Sequence, residues 1–282
     1  MNAEWIGRAQ TSIDWITPGR VAAWRATLDH DCELPTEGDS APLGFHWTLA
    51  PLLARESELG PDGHPRRGGF LPPIPLPRRM WAGSRIVFHR PLRVGERVER
   101  ESVIAAIEEK QGRTSDLVFV TVRHRLTSTG GLAIEEEQDL VYRDPPPPDA
   151  RATEATISAG MEAAAVWQRT IRPTETLLFR FSALTFNGHR IHYDRRYAEI
   201  VEGYAGLVVH GPLIATLLLE LIQTHVPSES IERFEFRAMR PTFDTSDFHV
   251  YGSPGTDDHQ FTLWSTDNRG KRAVEATAWT RR

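Results

Sequence analysis

The sequence predicts an α+β protein made of two halves, each an antiparallel sheet packed around an apolar helix. Three observations support this: segments with period-2 patterning cluster in both halves, a long apolar helix precedes the second cluster, and four consecutive prolines at 145–148 separate them. Such a run of prolines cannot continue a helix or a sheet ladder and favours a stiff spacer. With 282 residues the chain has room for two ordinary domains. We predict modules at 1–144 and 151–282, joined by a linker at 145–150.

The first half contains strand-like patterning and one candidate helix. Alternating apolar and polar residues predict strands at 85–88, 103–107, 117–126 and 138–142. Residues 44–57 predict the helix, with an apolar set made of Phe45, Trp47, Leu49, Leu52 and Leu53. The segment between them, 61–80, is rich in Pro, Gly and Arg and too long for a simple connection. This segment could be a lid over a functional site or a solvated loop, and the sequence does not choose between the two.

The second half begins with two helical patterns. Thr174 is placed as the N-cap of the first, whose apolar stripe is Leu177, Leu178, Phe181 and Leu184. Asp194 is placed to cap the second, and Gly203 to end it in a left-handed conformation. The predicted apolar face of this short helix is formed by Tyr197, Ile200 and Val201.

A longer helix follows, with Pro212 in its first turn and apolar residues on nearly every side. Such a helix must be covered by other elements. Four strand-like runs supply the cover, at 231–239, 248–252, 260–266 and 273–280. An antiparallel sheet curled around one hydrophobic helix is the hot-dog arrangement, so the predicted fold is a double hot-dog.

Composition excludes several classes of protein. The net charge of −5 creates no general field that would attract phosphates, which argues against nucleic acid as a partner. Cys32 is the single cysteine, so no internal disulfide forms. Residues 1–10 lack the apolar core of a secretory signal, and the apolar stretch 207–222 is too short and too interrupted to span a bilayer. We expect a cytoplasmic protein with no membrane partner.

The most informative motifs are FSALTFNGHRIHYD at 181–194 and GLVVHGPL at 206–213. Together they resemble the signature of MaoC-like (R)-specific hydratases and dehydratases. In that family a Gly-Asp-x-Asn-Pro-x-His loop provides an acid/base Asp and a His, and a His-Gly pair opens the central helix. The positions of this signature correspond here, in order, to Asn187 for Asp, His189 for Asn, Arg190 for Pro, His192 for His, and His210-Gly211 for the helix start.

The details are most similar to one branch, the type 2 hydroxyacyl-thioester dehydratases and the mesaconyl-CoA and itaconyl-CoA hydratases. Met80-Trp81-Ala82-Gly83 and the preceding Pro-rich loop resemble that branch's N-terminal module, of the FAS1-like dehydratase type. The resemblance implies reversible hydration of an α,β-unsaturated acyl-CoA, or dehydration of a 3-hydroxyacyl thioester. The implied partner is an acyl-CoA or acyl-carrier-protein thioester. No cofactor is expected apart from coenzyme A as part of the substrate.

Hydration needs a base for the attacking water, an acid for the α-carbon and a dipole for the thioester enolate. His192 suits the first two roles because an imidazole accepts and returns a proton near neutral pH. The backbone N–H of Gly211, at a helix N-terminus, suits the third. Asn187 cannot act as a base, since an amide only orients water through hydrogen bonds. The sequence therefore predicts a single-base mechanism centred on His192.

The remaining motif residues are assigned to substrate binding. His189 and Arg190 are expected to contact a charged part of the substrate, and the planar fork of Arg190 would fit a carboxylate. A dicarboxylic acyl-CoA of four or five carbons, such as mesaconyl-CoA, is the substrate that this arginine favours. His210 is assigned to the same substrate-binding set. The alternative role for His210 is to steady the start of the central helix through hydrogen bonds. A homodimer or higher homo-oligomer is the expected assembly.

Several alternatives stay open. A hot-dog thioesterase would use an acidic residue on the central helix, and Glu220 is the candidate. A non-catalytic acyl-thioester-binding module is favoured by Asn187. The set His189, His192, His210 and Asp194 imitates a metal site, but no metal is expected, because no matching Cys or Glu pair is present. Two interpretations also remain for the arginines of the long loop, which either contact the phosphates of coenzyme A or are simply solvated. These arginines are Arg66, Arg67, Arg78 and Arg79.

Overall fold

The computed structural model describes residues 3–111, 116–144, 165–227 and 229–281. Within these residues ten strands form one antiparallel sheet, and three α-helices pack against it. Among the described helices, none combines the length and hydropathy that a bilayer crossing requires. The predicted linker at 145–150 lies outside the described residues, so the boundary between the modules stays a prediction.

The first half of the chain forms one side of the sheet. Its strands are β1 (Ala9–Trp15), β2 (Arg78–Phe88), β3 (Arg97–Gln111), β4 (Asp116–Ser128) and β5 (Gly131–Arg143), in the spatial order β1-β3-β4-β5-β2. The four predicted strands are confirmed, each longer than the pattern indicated. β1 was missed because its residues alternate between exposed and half-buried, with none fully buried. The helix α1 (Pro18–Thr27) follows it, capped by the Thr17 side chain.

The second half forms the other side of the sheet. Its strands are β6 (Trp167–Ile171), β7 (Ile231–Ala238), β8 (Phe248–Pro254), β9 (Gln260–Thr266) and β10 (Arg272–Thr280), in the order β7-β10-β9-β8-β6. Its helices are α2 (Glu175–Leu184) and α3 (Gly211–His225). The Thr174 cap is confirmed, since the hydroxyl accepts a hydrogen bond from the Leu177 N–H at 3.1 Å.

The two halves join where β2 pairs with β7 in antiparallel register. At this seam a Cβ on Gly83 would lie 2.3 Å from the carbonyl oxygen of Phe236, so only glycine permits the approach. The register of β2 against β5 also shifts between Trp81 and Gly83, as expected of a bulge. The two antiparallel sheets are therefore continuous.

Helix α3 is the centre of the second half. Ten of its residues, from Pro212 to Ile222, are buried, and their side chains pack against β8, β9 and β10. The helix is covered on almost all sides, as its uninterrupted hydropathy predicts. Its one acidic residue, Glu220, lies 2.8 Å from the His30 Nε2 atom and forms an ion pair with Arg169 at 3.1 Å.

The helix predicted at 44–57 is wrong. The structure has only a short 3₁₀ turn at Phe45–Thr48, and Leu53 is 74% exposed. Pro51 explains this, because its ring would clash with the carbonyl four residues earlier and it disfavours the α conformation of Ala50, whose φ is +46°. Near this segment, a cavity of about 130 Å³ lies against β3, β4 and β5, with Arg100 and Leu140 in its wall.

The short helix after the predicted cap is only partly as expected. Asp194 caps it, accepting from the Tyr197 N–H at 3.0 Å, and Gly203 has the predicted positive φ of +70°. The apolar-face assignment is wrong for Ile200 and Val201, which are 76% and 65% exposed. The segment Tyr197–Val201 is a π turn rather than an α-helix. Its wider turn removes the 3.6-residue spacing on which the predicted face depended.

A buried carboxylate stabilises the first half. Glu136 is 1% exposed and accepts a hydrogen bond from the Ser84 hydroxyl at 2.6 Å and from Trp47 Nε1 at 3.2 Å. The His46 Nε2 atom lies 3.4 Å away. Burial alone would raise the pKa of Glu136, but the adjacent His46 and the Ser84 hydroxyl hold it at about 2.

We expect Glu136→Gln to remove an acid-dependent part of the stability. A carboxyl whose folded-state pKa is about 2, against 4.5 ordinarily, stabilises the fold above about pH 4.5 and loses this contribution as the pH falls towards 2. The size is roughly 3 kcal/mol by the linkage relation. Urea unfolding at pH 7 and pH 3 would show a smaller pH-dependent loss in Glu136→Gln than in the wild type. Equal losses would contradict the assignment.

Candidate active site

The loop that follows α2 is shaped by its own hydrogen bonds. The Asn187 N–H donates to the Ser182 carbonyl at 2.8 Å, and the Asn187 Oδ1 atom accepts from the His189 N–H at 3.0 Å. Phe186, just before it, has a φ of +52°, which is strained for a non-glycine residue. Because Oδ1 is used within the loop, the side-chain NH₂ group is the part of Asn187 left to bind water or substrate.

His192 lies on the 3₁₀ turn Arg190–His192 and is 7% exposed. Its Nδ1 atom is 2.7 Å from the carbonyl oxygen of Val208, which only accepts, so Nδ1 carries the proton. Nε2 therefore holds the lone pair, and no described residue donates to it. Burial lowers the pKa of His192 to about 4, and the imidazole is neutral near pH 7. This is the state that a general base requires.

His210 and Gly211 complete this side of the site. The His210 ring stacks on His192, with 3.7 Å between ring centroids, and its Nε2 atom lies 2.8 Å from the Ser182 hydroxyl. Burial lowers the pKa of His210 as well. A Cβ on Gly211 would meet no atom within 4 Å, so open space adjoins the first residue of α3. The neutral imidazole of His192 thus sits beside the open N-terminus of a buried helix.

The long loop predicted at 61–80 ends at Pro77, where β2 begins, and it contacts the same site, which the sequence left undecided. The Asp62 carbonyl accepts from the Arg190 N–H at 2.9 Å. A Cβ on Gly63 would lie 2.0 Å from the carbonyl oxygen of Gly188. The 61–77 loop is therefore docked on the loop at 185–194, which we call the catalytic loop. The contact joins the two backbones at Gly63 and Gly188 and leaves no space there for a side chain.

This docking brings a carboxylate–imidazole pair into the site. Asp62 Oδ2 lies 3.0 Å from His64 Nδ1, and the His64 ring is 4.1 Å from the ring of His189. His189 in turn lies 5.4 Å from His192, edge to face. Burial and then the charge of Arg79 lower the pKa of His64 to about 4. Burial also lowers the pKa of His189, and the electrostatic effect of the neighbouring His64 lowers it further.

The sequence analysis missed Asp62 and His64 because they lie more than 115 positions before the recognised motif. The available signal was the turn sequence Asp62-Gly63-His64-Pro65, in which polar side chains flank a glycine. Proximity to His189 depends on the docking of two loops, which periodicity does not report. The lid interpretation of this loop agrees with the observed contacts.

Arg190 does not have the free guanidinium that the predicted carboxylate clamp requires. Its Nε and Nη2 atoms donate to Asp194 Oδ2 at 3.0 and 2.7 Å, and Nη1 donates to the Pro61 carbonyl at 2.9 Å. The guanidinium also lies over the Tyr197 ring. We correct the assignment: Arg190 ties the two loops together, and its fork is already occupied by an internal carboxylate.

Most loop arginines also have internal partners. Arg66 donates to the Leu59 carbonyl, Arg67 to the carbonyls of Ile74 and Pro77, and Arg78 forms an ion pair with Glu202 at 3.0 Å. These contacts help to shape the loop, although Arg66 remains exposed. Arg79 is the exception among the four.

The side chains that resemble a metal site in the structure differ from the set that the sequence offered. Asp194 binds Arg190 and the Tyr197 N–H instead of facing the histidines. A second group, Asp62, His64 and His189, has ligand atoms all within 4.8 Å of one another. Both carboxylate oxygens of Asp62 are hydrogen-bonded to His64, and the cation of Arg79 is close by. A neighbouring positive charge disfavours a metal ion there, so no metal is assigned.

Comparison with known proteins gives relatives over the whole chain. The family model described as hydroxyacyl-thioester dehydratase type 2 matches residues 44–244. A protein named mesaconyl-C(4)-CoA hydratase from Chloroflexus aurantiacus is 46% identical, covering 97% of this chain and 95% of that one. The mitochondrial hydroxyacyl-thioester dehydratase type 2 of Schizosaccharomyces pombe is 30% identical over 71% of this chain and 73% of its own.

Solved structures support the fold. A MaoC-like dehydratase from Phytophthora capsici superposes with a TM-score of 0.71 at 13% identity, covering 100% of this chain and 99% of that one. A Mycobacterium tuberculosis protein described as having a double hotdog fold gives a TM-score of 0.54 at 13% identity, over 98% and 96% of the two chains. The predicted double hot-dog architecture is confirmed.

Proposed function

This chain belongs to the hydroxyacyl-thioester dehydratase type 2 family, and from that premise we propose that it catalyses the reversible hydration of an α,β-unsaturated acyl-CoA. The reverse reaction is the dehydration of a 3-hydroxyacyl thioester. One observation carries the proposal: the neutral imidazole of His192, with its Nε2 lone pair unoccupied, lies beside open space at the N-terminus of α3.

The proposed mechanism uses one base. Nε2 of His192 takes a proton from water as the water oxygen adds to the β-carbon, and the same imidazolium returns that proton to the α-carbon. No net proton and no electrons are exchanged, so the reaction needs no redox cofactor. The Gly211 N–H, at the positive end of α3, donates to the thioester oxygen as enolate charge develops. Such a donor contributes about 3–4 kcal/mol to the transition state.

Asn187 and His189 are proposed to hold the water and the substrate. The Asn187 NH₂ group is free to donate to the attacking water, while Oδ1 fixes the loop. His189 is neutral because its pKa is lowered, so it contributes hydrogen bonds rather than charge. His210 supports the His192 ring by stacking and by its contact with Ser182. We therefore assign it a positioning role within the proposed binding set.

The proposed substrate is a dicarboxylic acyl-CoA of four or five carbons. The support is the name of the relative at 46% identity, a mesaconyl-C(4)-CoA hydratase. Coenzyme A is proposed as the carrier in preference to acyl carrier protein for the same reason. A cytoplasmic location and a homo-oligomeric assembly stay predictions.

The direct test follows enoyl-thioester absorbance and free thiol together. With mesaconyl-C4-CoA, we expect the enoyl absorbance to fall without release of thiol. Release of thiol would favour a thioesterase, although the Glu220 carboxylate is already held by the His30 ring and the Arg169 guanidinium. Binding without any change in the enoyl group, across dicarboxylic and monocarboxylic esters, would favour a non-catalytic module.

The pH dependence of turnover tests the protonation state of the base. Because burial lowers the pKa of His192 to about 4, the imidazole stays neutral down to about pH 5. We expect kcat/KM to be flat from about pH 8 to about pH 5 and to fall with a midpoint near pH 4. Circular dichroism at each pH would separate protonation from unfolding. A fall centred near pH 6.5, with the fold intact, would contradict a buried neutral base.

A further inference from the structure

Three arginines around the candidate site are paired with internal carboxylates. Arg78 pairs with Glu202 at 3.0 Å, Arg190 with Asp194 at 2.7 Å, and Arg195 with Asp244 at 2.5 Å. Arg79 differs from these. It is half-buried, and within the described ranges no carboxylate oxygen lies within 4 Å of its guanidinium nitrogens. A half-buried cation without a counter-ion loses hydration that no carboxylate of the described residues replaces.

Arg79 is located beside the catalytic loop. It lies on β2 directly opposite Tyr142 of β5. Burial lowers the pKa of His64 most, and the positive charge of Arg79 lowers it further. The same charge also lowers the pKa of His189. The carboxylate of Asp62 belongs to the same group, but both of its oxygens are hydrogen-bonded to His64. This internal anion is therefore directed to another partner.

A second donor at this place also lacks an acceptor. Tyr142 is fully buried, and its hydroxyl forms no hydrogen bond of good geometry, although Arg79 is its neighbour. The Arg67 guanidinium lies over the Tyr142 ring, but its nitrogens donate to the carbonyls of Ile74 and Pro77. A buried hydroxyl left without a partner is destabilising by about 1–3 kcal/mol. A planar anion would accept from both Arg79 and Tyr142.

We propose that Arg79, assisted by the Tyr142 hydroxyl, binds the free carboxylate of a dicarboxylic acyl thioester and so sets the substrate preference. This inference rests on the proposed hydratase function. The guanidinium fork matches a carboxylate in geometry and charge. The carboxylate of a four- or five-carbon acyl group lies close to the carbon that receives water, so its receptor must be near the catalytic loop. Arg79 meets that requirement, and Arg190 is already occupied.

Arg100 is another half-buried cation, and its guanidinium donates to the His124 ring and the Leu49 carbonyl rather than to a carboxylate of the described residues. It lies in the wall of the 130 Å³ cavity, together with Gln138 of β5. Gln138 is four residues from Tyr142 along the strand, which corresponds to about 14 Å. A short dicarboxylic acyl group whose double bond is held at His192 would not extend that far. The position of Arg100 instead suits longer acyl groups.

The test compares two substrates and two saturated analogues. We expect Arg79→Gln to lower kcat/KM for mesaconyl-C4-CoA by about 30-fold, while kcat/KM for crotonyl-CoA changes less than about 3-fold. Arg79→Lys should restore part of the loss, because it keeps the charge without the fork. Tyr142→Phe should reduce only the mesaconyl rate, by about 5-fold. The matched control is Arg85→Gln on the same strand, whose guanidinium pairs with Asp139 at 2.6 Å; it should leave both substrates unchanged.

Calorimetry separates this inference from the proposed function. Succinyl-CoA and butyryl-CoA cannot be hydrated, so their binding does not depend on turnover. Arg79→Gln should weaken binding of succinyl-CoA alone. An equal loss for both thioesters, or for both enoyl substrates, would overturn the carboxylate role, and so would an unchanged affinity for succinyl-CoA. If the wild type hydrates no enoyl thioester but still binds succinyl-CoA through Arg79, the hydratase proposal fails and the carboxylate site stands.

Discussion

Replacing His192 with Ala is expected to lower kcat by about 100- to 10,000-fold, the range typical of losing a general acid–base group. The imidazole is the group placed to take the proton of water, because its Nδ1 atom is held by the Val208 carbonyl and its Nε2 atom is unoccupied. KM should change little, since the ring is needed for proton transfer more than for binding. Steady-state kinetics on an enoyl-CoA would measure both parameters.

His89→Ala is the matched control for that substitution. His89 also has a hydrogen-bonded ring, 2.8 Å from Glu135, but it is 38% exposed and lies on the surface of the first half. We expect normal kinetics from it. Thermal unfolding would show whether His192→Ala remains folded despite losing the stack on His210. Near-normal turnover by a folded His192→Ala protein would mean that the single-base mechanism is wrong.

Gly63→Ala is expected to reduce kcat/KM by about 100-fold, the scale associated with displacing catalytic groups by about 1 Å. The new Cβ would lie 2.0 Å from the Gly188 carbonyl oxygen, so the two loops must separate. Separation would displace Asp62 and His64 from His189 and would break the hydrogen bond from the Arg190 N–H to the Asp62 carbonyl. Hydrogen exchange of the 61–77 segment would report the loss of docking.

Gly68→Ala provides a close control in the same loop. Gly68 has a φ of +88°, nearly the +85° of Gly63, so both substitutions carry a similar conformational strain. A Cβ on Gly68, however, would meet only the Pro73 Cβ, at 3.9 Å. We expect Gly68→Ala to keep its activity. If both variants lose the same activity, strain in the loop is responsible and the contact with Gly188 is not.

The docked loop also changes how the Asn187 position is understood. In the pattern that the motif resembles, an acid/base Asp stands there, whereas here the amide helps to shape its own loop. The site nevertheless holds a carboxylate, because Asp62 arrives from the first half and orients His64. The carboxylate is separated from His192 by the rings of His64 and His189. The proton transfers are therefore assigned to His192.

The elements whose causes are local could be predicted from the amino-acid sequence. Thr174 begins α2 because its hydroxyl satisfies a free N–H three residues later, and α3 is buried because apolar side chains surround its axis. The catalytic loop could be placed from the sequence because its residues lie close together in the chain, between α2 and α3. Local hydrogen bonding and hydropathy act over a few residues, so they can be read directly.

Features that depend on residues distant in sequence could be identified only from the folded protein. Nothing near Asp62 indicates that its loop packs on Gly188, and nothing near Arg190 shows that Asp194 and Pro61 occupy its guanidinium. The unpaired charge of Arg79 is visible only after the partners of the other arginines are known. Charge pairing and close backbone contact depend on distances in space, which the folded chain sets by bringing its two halves together.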